Sequence, residues 1–142
     1  MTKEAREKHV LRVFRTTVLT CDEKTITGRV YPLKLIKKSI KEDKALQEKL
    51  ANHIFFGELG CPIDRTEVDL SKVAFSVEKL YWYKNKLRAL VVILDTPNGR
   101  RLNQILSDVK FTTCGTGDMD CTNTITNYQL DMIAAAHKAT LQ

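Results

Sequence analysis

The chain has 142 residues, of which 43% are hydrophobic and 28% are charged, a balance typical of a globular domain rather than of a disordered or fibrous chain. A domain of this length buries about two-thirds of its unfolded surface, so it needs neither a metal nor a disulfide to fold. The longest apolar run, Ala89 to Leu94, is far shorter than the roughly 20 residues of a membrane span. We expect one domain over residues 1–142 and no contact with a membrane.

The charge is basic, with 23 Lys and Arg against 17 Asp and Glu, a formal net charge of +6. Such a balance fits an anionic neighbour, either nucleic acid or an acidic protein surface. The basic residues are interleaved with acids, however, so a solvated surface is the simpler interpretation and nucleic acid is the weaker alternative. The N-terminal segment carries mixed charge without an apolar stretch after it, which predicts that the protein is not secreted.

Cysteine and histidine are the side chains that could hold a metal or carry thiol chemistry. Successive cysteines are 40, 53 and 7 residues apart, without a C-x-x-C pair, and the histidines show no ligand spacing. The sequence therefore predicts no metal site and no cofactor. Disulfides are not favoured in a protein without a secretory signal. The residues concerned are Cys21, Cys61, Cys114, Cys121, His9, His53 and His137.

The first half of the chain reads as a strand, a helix and a second strand. β-Branched residues from Val10 to Cys21 predict the first strand. Thr27–Pro32 predicts a turn that leads into extended chain, because a residue before proline disfavours helix. Helical spacing of apolar residues predicts a helix over Leu33–Asn52, with a break around Glu42–Asp43. His53–Gly57 returns to strand character.

The middle of the chain predicts a hairpin followed by a helix. Apolar and polar residues alternate over Val73–Tyr83, which indicates a strand with one buried face. After a short polar turn, the almost wholly apolar segment Leu87–Leu94 predicts a central strand. Thr96 and Pro97 suit the N-cap and first position of a helix, and apolar spacing extends that helix to about Asp108.

The last part of the chain predicts two strands and a helix. Lys110–Cys114 reads as a short strand that ends at the glycines Gly115 and Gly117. Asn123–Leu130 reads as a last strand and Met132–Leu141 as a last helix. Because strands and helices do not alternate regularly, the predicted class is α+β, with helices around a small, mostly antiparallel β-barrel or strongly curved sheet.

Four segments have sequences more specific than a purely structural role requires. Gly28-Arg29-Val30-Tyr31-Pro32, Gly57-Glu58-Leu59-Gly60-Cys61-Pro62, Leu94-Asp95-Thr96-Pro97-Asn98-Gly99-Arg100 and Phe111-Thr112-Thr113-Cys114-Gly115-Thr116-Gly117 occur in this order. Together they resemble the prohead core protease family of T-even-type tailed phages, which reads N-G-R-x-Y-P, G-E-L-x-H-P, D-T-P-x-G-R and S-S-R-G-x-G. The resemblance runs from about Leu19 to Met132.

The resemblance implies a fold similar to the herpesvirus maturational protease, a small β-barrel with helices packed outside. Enzymes of this family act inside the immature capsid, where they cut scaffold and capsid proteins. In the family, the histidine of G-E-L-x-H-P takes the proton from a serine of S-S-R-G, and the arginine region helps to hold the oxyanion.

This chain differs from the family at the site positions. Cys61 stands in the place of the histidine, Thr112 and Thr113 replace the serine pair, and Cys114 replaces the arginine. A thiol with a pKa near 8.5 is a poor general base at neutral pH. Threonine needs a neighbouring base before it can act as a nucleophile. The resemblance therefore predicts a catalytically degenerate site.

The resemblance implies a protease-like phage protein of the virion, assembled in the host cytoplasm, that acts as a capsid-associated decoration or assembly protein. Its expected partner is the phage major capsid or scaffold protein, and self-association into a homo-oligomer stays open. One alternative is an active maturation endopeptidase with an altered Thr/Cys site. Others are a thiol enzyme with His53 or His137 as base, a redox-linked cysteine pair, and a regulator of the active protease.

The alignment with the family also makes a geometric prediction. Cys61 and the Thr112–Cys114 segment should approach each other, with Cα atoms within about 10 Å, if the family fold is retained. A disulfide between Cys61 and Cys114 would need Cα atoms within about 7 Å.

Overall fold

A curved sheet of six strands, in the order β1-β4-β3-β2-β6-β5, organises the protein. The computed structural model describes residues 9–62 and 65–137. All strand pairs are antiparallel except β2 with β6, which is parallel. The strands are β1 (Val10–Thr20), β2 (Phe56–Leu59), β3 (Phe75–Tyr83), β4 (Lys86–Leu94), β5 (Val109–Met119) and β6 (Ile125–His137); the helices within the described residues are α1 (Leu33–Glu42), α2 (Lys44–Ala51) and α3 (Pro97–Gln104).

The sheet curls into a half-barrel, so that its two edge strands come near each other. Phe111 of β5 lies against Phe14 of β1, with ring centroids 5.4 Å apart, and against Phe75 of β3 at 5.1 Å. Both contacts are edge-to-face, an arrangement that aromatic quadrupoles favour. The core fills the inside of the curve and takes buried residues from five of the strands and from all three helices. The predicted α+β class with a curved, mostly antiparallel sheet is confirmed.

The predicted break in the first helical region is confirmed, and it has a local cause. Helix α1 ends at Glu42, and Asp43 takes an extended conformation with φ −78° and ψ 95°. The Asp43 carboxylate then accepts a hydrogen bond from the Leu46 amide at 3.1 Å, which caps α2. Ile36, Ile40 and Leu46 are buried, so both helices turn an apolar side to the core.

The β3–β4 hairpin is confirmed, but the pattern of burial on β3 is not the predicted one. Val73, Ala74, Phe75, Ser76 and Val77 are all buried, rather than alternate residues only. The reason is that β3 lies inside the sheet between β4 and β2, and that other elements cover this end on both faces. The alternation of apolar residues shows which face is apolar but does not show what covers the other face.

The predicted helix over 97–108 is shorter than expected. Helix α3 ends at Gln104, a 3-10 turn follows over Leu106–Asp108, and Val109 already begins β5. Ile105 and Leu106 still pack against the core although they lie beyond the helix. Their helical spacing therefore reflects a shared direction toward the core and not one continuous helix.

Two predictions for the last part of the chain are wrong. β5 continues through Gly115 and Gly117 to Met119, with a register shift between Cys114 and Gly115. β6 continues from Ile125 to His137, where a helix was predicted. Buried Met132–Ala135 lie between β5 and β2, and this pairing on both sides overrides the helix propensity of alanine. The remainder of the predicted helix, 138–141, lies outside the described residues.

Candidate functional site

Cys61 and Cys114 meet at one place on the sheet. β2 ends at Leu59, the chain turns at Gly60 with φ +78°, and Cys61 follows. Cys114 lies on β5, on the other side of β6 in the strand order. The two residues form a disulfide with Cα atoms 5.9 Å apart. This confirms the predicted approach of the two motifs, and the separation meets the limit of about 7 Å for a disulfide. The bond itself is contrary to the expectation that disulfides are not favoured in this protein.

The threonines at the serine positions lie on β5, opposite Ala134 and Ile133 of β6. The Thr113 side chain lies near the Tyr128 phenol. Burial raises the pKa of Tyr128 well above its ordinary value, so the phenol stays protonated at neutral pH and cannot take a proton from Thr113. Thr112 makes only a long contact of 3.5 Å to the Thr113 carbonyl oxygen.

Gly115 explains how Tyr128 reaches this position. A Cβ atom built at Gly115 would lie 2.2 Å from the Tyr128 ring, so only glycine allows the ring to lie over this strand. Tyr128 also contacts Tyr31 edge-to-face, at 5.5 Å between ring centroids. The glycine of the T-T-C-G segment thus leaves space for an aromatic ring beside the threonines.

The histidines considered as bases lie elsewhere. His53 Nδ1 is 2.6 Å from the Glu78 carboxylate, on the β3 side of the molecule. His137 pairs in register with Val109, four residues beyond the partner of Thr113, which corresponds to roughly 13 Å along a strand. His9 is exposed next to the start of β1. The structure therefore does not bring His53 or His137 to Thr113 or to the cysteine pair.

A buried ion pair, which the sequence did not predict, lies beside the disulfide. Glu58 is 2% exposed and accepts hydrogen bonds from both terminal nitrogens of Arg65, one of them at 2.6 Å. The Asp69 amide donates to the same carboxylate at 3.0 Å. These hydrogen bonds, led by those from Arg65, hold the pKa of Glu58 below its usual range. The feature of the sequence that could have indicated this pair is a glutamate within a short, otherwise apolar strand, where a buried carboxylate needs a partner.

Two cavities adjoin the site positions. One, of about 420 Å³, is lined by Glu58, Cys61 and Arg65 among others. The other, of about 610 Å³, lies where β1 and β5 approach, and Thr112 and Thr113 line it together with Arg29. The disulfide and the two threonines therefore adjoin different cavities.

The remaining thiols have different environments. Cys21 is fully buried, and burial raises its pKa to about 12, so it behaves as a small apolar residue. Cys121 is exposed. Within residues 9–62 and 65–137 no group of His, Cys, Asp and Glu could hold a metal ion. No helix in this part of the chain is long and apolar enough to cross a membrane.

Comparison with known proteins gives a match to a solved structure. No protein-family model and no curated protein sequence matches the chain. The fold is similar to that of the bacteriophage T4 capsid assembly protease, gp21, with a TM-score of 0.76 and 19% sequence identity, over 87% of this chain and 80% of that chain. At this identity the comparison establishes a protease-like fold.

Proposed function

We propose that this protein is a catalytically degenerate relative of the prohead proteases that acts as a capsid-associated binding protein of a bacteriophage. The observation that carries the proposal is the disulfide between Cys61 and Cys114, at a Cα separation of 5.9 Å. These residues stand at the family's histidine and arginine positions, so the proton acceptor and the cation of the family's site are both replaced by one covalent bond.

The chemistry of the neighbouring residues supports the same conclusion. A disulfide neither accepts a proton at neutral pH nor supplies a thiolate, so Cys61 cannot activate a hydroxyl. Thr113 instead lies near Tyr128, whose raised pKa keeps it protonated. Loss of the base or nucleophile of a hydrolytic triad typically reduces kcat by about a million-fold.

A retained fold without its catalytic groups is suited to binding, because function lies in the site and not in the fold. The structural neighbour is a capsid assembly protease. We infer by analogy that the partner of this chain is the major capsid or scaffold protein of its phage, in the virion. A stable contact of this kind would bury at least about 1,000 Å².

The competing function is a maturation endopeptidase with an altered Thr/Cys site. The larger cavity favours it, since hydroxyls of Thr112 and Thr113 line this cavity beside Arg29. An endopeptidase that uses these cysteines would need the disulfide to be reduced first, because Cys61 and Cys114 are bonded to each other.

Cleavage and binding assays separate the two functions. The purified protein is mixed with the scaffold and capsid proteins of its phage, with and without reductant, and a serine-directed fluorophosphonate is applied in parallel. We expect no cleavage and no labelling in either redox state, together with co-sedimentation with assembled capsids at moderate salt. Specific cleavage that Thr113→Ala or Cys61→Ala abolishes would establish the endopeptidase instead.

A further inference from the structure

Two arginines converge on the face of the sheet that is turned away from the core, where β1, β4 and β3 lie side by side. In the register of these strands Thr17 lies opposite Arg88, and Arg88 lies opposite Tyr81. Arg15 precedes Thr17 by two residues on β1 and so projects from the same face. The Arg15 guanidinium carbon lies 5.2 Å from the centroid of the Tyr81 ring. We call these four residues the arginine site.

Both guanidinium groups of the arginine site contact neutral groups. Arg88 donates to the Thr17 hydroxyl at 2.9 Å and to the Tyr81 hydroxyl at 3.4 Å. Arg15 also lies near the Tyr81 hydroxyl, and the two arginines together lower the pKa of this hydroxyl. The hydroxyls hold the guanidinium groups in place without neutralising them.

No carboxylate of the described residues pairs with Arg15 or Arg88. The one acidic residue on β1, β3 and β4 is Glu78. Its carboxylate is occupied by His53 at 2.6 Å and by the Ser76 hydroxyl at 3.2 Å. The positive charge of the arginine site is therefore uncompensated within the described residues, and Arg88 is in addition half-buried.

Apolar side chains lie directly beside this charge. Val13 lies two residues before Arg15 on the same face and is 56% exposed. Leu90, half-buried, lies opposite Arg15 in the β1–β4 register. A nucleic-acid backbone offers anions but nothing apolar to cover Val13 and Leu90, whereas a peptide can present carboxylates and aliphatic side chains together. The combination favours a peptide.

We propose that the arginine site binds an acidic, partly aliphatic segment of another protein. Its carboxylates would pair with Arg15 and Arg88, whose planar groups suit bidentate contact with carboxylate, and an aliphatic side chain would cover Val13. The arginine site shares no residue with the cysteine pair or with Thr112 and Thr113, although Thr17 also lines the larger cavity. The proposal therefore does not rest on the proposed function.

The test measures fluorescence anisotropy of a labelled peptide that alternates glutamate with valine, with a matched peptide of glutamine and valine. We expect the glutamate peptide to bind, and more weakly as salt is added, because salt screens exposed charges. Arg15→Gln should weaken binding roughly tenfold or more, since hydrogen bonds between charged groups contribute that much. Val13→Ser should weaken it by a smaller factor.

Arg101→Gln is the matched control, because it removes the same charge from an exposed position on α3, and it should leave affinity within about twofold. Arg88→Lys keeps the charge but loses the planar fork, so it should bind more weakly than the wild type while it remains folded by circular dichroism. The proposal is overturned if the wild type binds neither peptide or both equally, or if Arg15→Gln and Arg101→Gln behave alike. It is also overturned if a single-stranded oligonucleotide binds more tightly than the peptide with the same dependence on Arg15.

Discussion

Thr96 connects the start of α3 to the residues just before β3, and its two hydrogen bonds give the T-P-N-G segment a structural role. Its hydroxyl accepts from the Gly99 amide at 2.9 Å and donates to the Val73 carbonyl at 2.6 Å. A Cβ atom at Gly99 would lie 1.8 Å from the Leu94 carbonyl oxygen, so glycine allows the helix to start this close to the sheet. The segment is accounted for as a helix start.

Thr96→Ala should therefore lower the free energy of unfolding by about 2 kcal/mol, from loss of the helix cap and of the hydrogen bond to the Val73 carbonyl. Urea denaturation measures the change. Thr96→Ser keeps the hydroxyl and should lose less than about half as much. If the serine variant were as unstable as the alanine variant, the methyl group rather than the hydroxyl would matter.

Glu58 is the residue whose ionisation matters most to the segment after β2, because it holds Arg65 and the Asp69 amide. A folded-state pKa below the usual range contributes stability that is present above the unfolded pKa of about 4.3 and is lost as pH falls through the folded pKa. Glu58→Gln should thus be less stable than the wild type by about 2 kcal/mol at neutral pH.

The difference between Glu58→Gln and the wild type should narrow in acid, because glutamine does not titrate. Thermal unfolding between neutral pH and pH 3 measures this convergence. Glu48→Gln, at an exposed position on α2, is the control and should follow the wild type. A constant gap between Glu58→Gln and the wild type would show that Glu58 is not ionised when it stabilises the fold.

At the scale of elements, the disulfide joins the end of β2 to β5 across β6. It closes a loop with a sequence separation of 53 residues. The chain-entropy argument then gives a stabilisation of about 4 kcal/mol, from restriction of the unfolded chain. The bond adds a covalent link where β2 makes only a short parallel pairing with β6, at Glu58 and Leu59.

Reduction should accordingly lower the Tm of the wild type. The double variant Cys61→Ser/Cys114→Ser should have a Tm near that of the reduced wild type, whether or not reductant is present. Calorimetry in both redox states measures the shift. Cys121→Ser, which removes an exposed free thiol, should keep the full response to reductant. A wild-type Tm that does not respond to reductant would contradict a stabilising role for this disulfide.

At the scale of the whole molecule, one core joins the elements. Residues of β1, β3, β4, β5 and β6 and of all three helices share one buried cluster. Contacts such as Phe14 with Phe111 connect the first strand to the fifth. The half-barrel should therefore unfold as one unit, as a single domain over the described residues.

Equilibrium unfolding in urea tests this expectation with two probes. The fluorescence of Trp82, which packs against the core from β3, reports on one side of the sheet, and far-ultraviolet circular dichroism reports on all elements. The two transitions should coincide, with one midpoint. Separate midpoints would show that the part of the sheet around β3 and β4 unfolds apart from β5 and β6.

The sequence predicted secondary structure correctly wherever residues close along the chain determine it. The break at Asp43, the β3–β4 hairpin and the start of α3 at Thr96 follow from caps, turns and spacing that act over a few residues. The resemblance to the prohead protease family predicted that Cys61 and Cys114 approach each other, and their Cα atoms are 5.9 Å apart.

Tertiary structure decided the rest, because contacts between distant residues override local preference. Met132–Ala135 form strand rather than helix since β2 and β5 pair on both sides of β6. β5 continues through Gly115 because it pairs with β6 there, and a tyrosine ring occupies the space of the missing side chain. The Glu58–Arg65 pair and the arginine site also exist only once separate segments meet, and no spacing along the chain encodes how a carboxylate or a guanidinium group will be partnered.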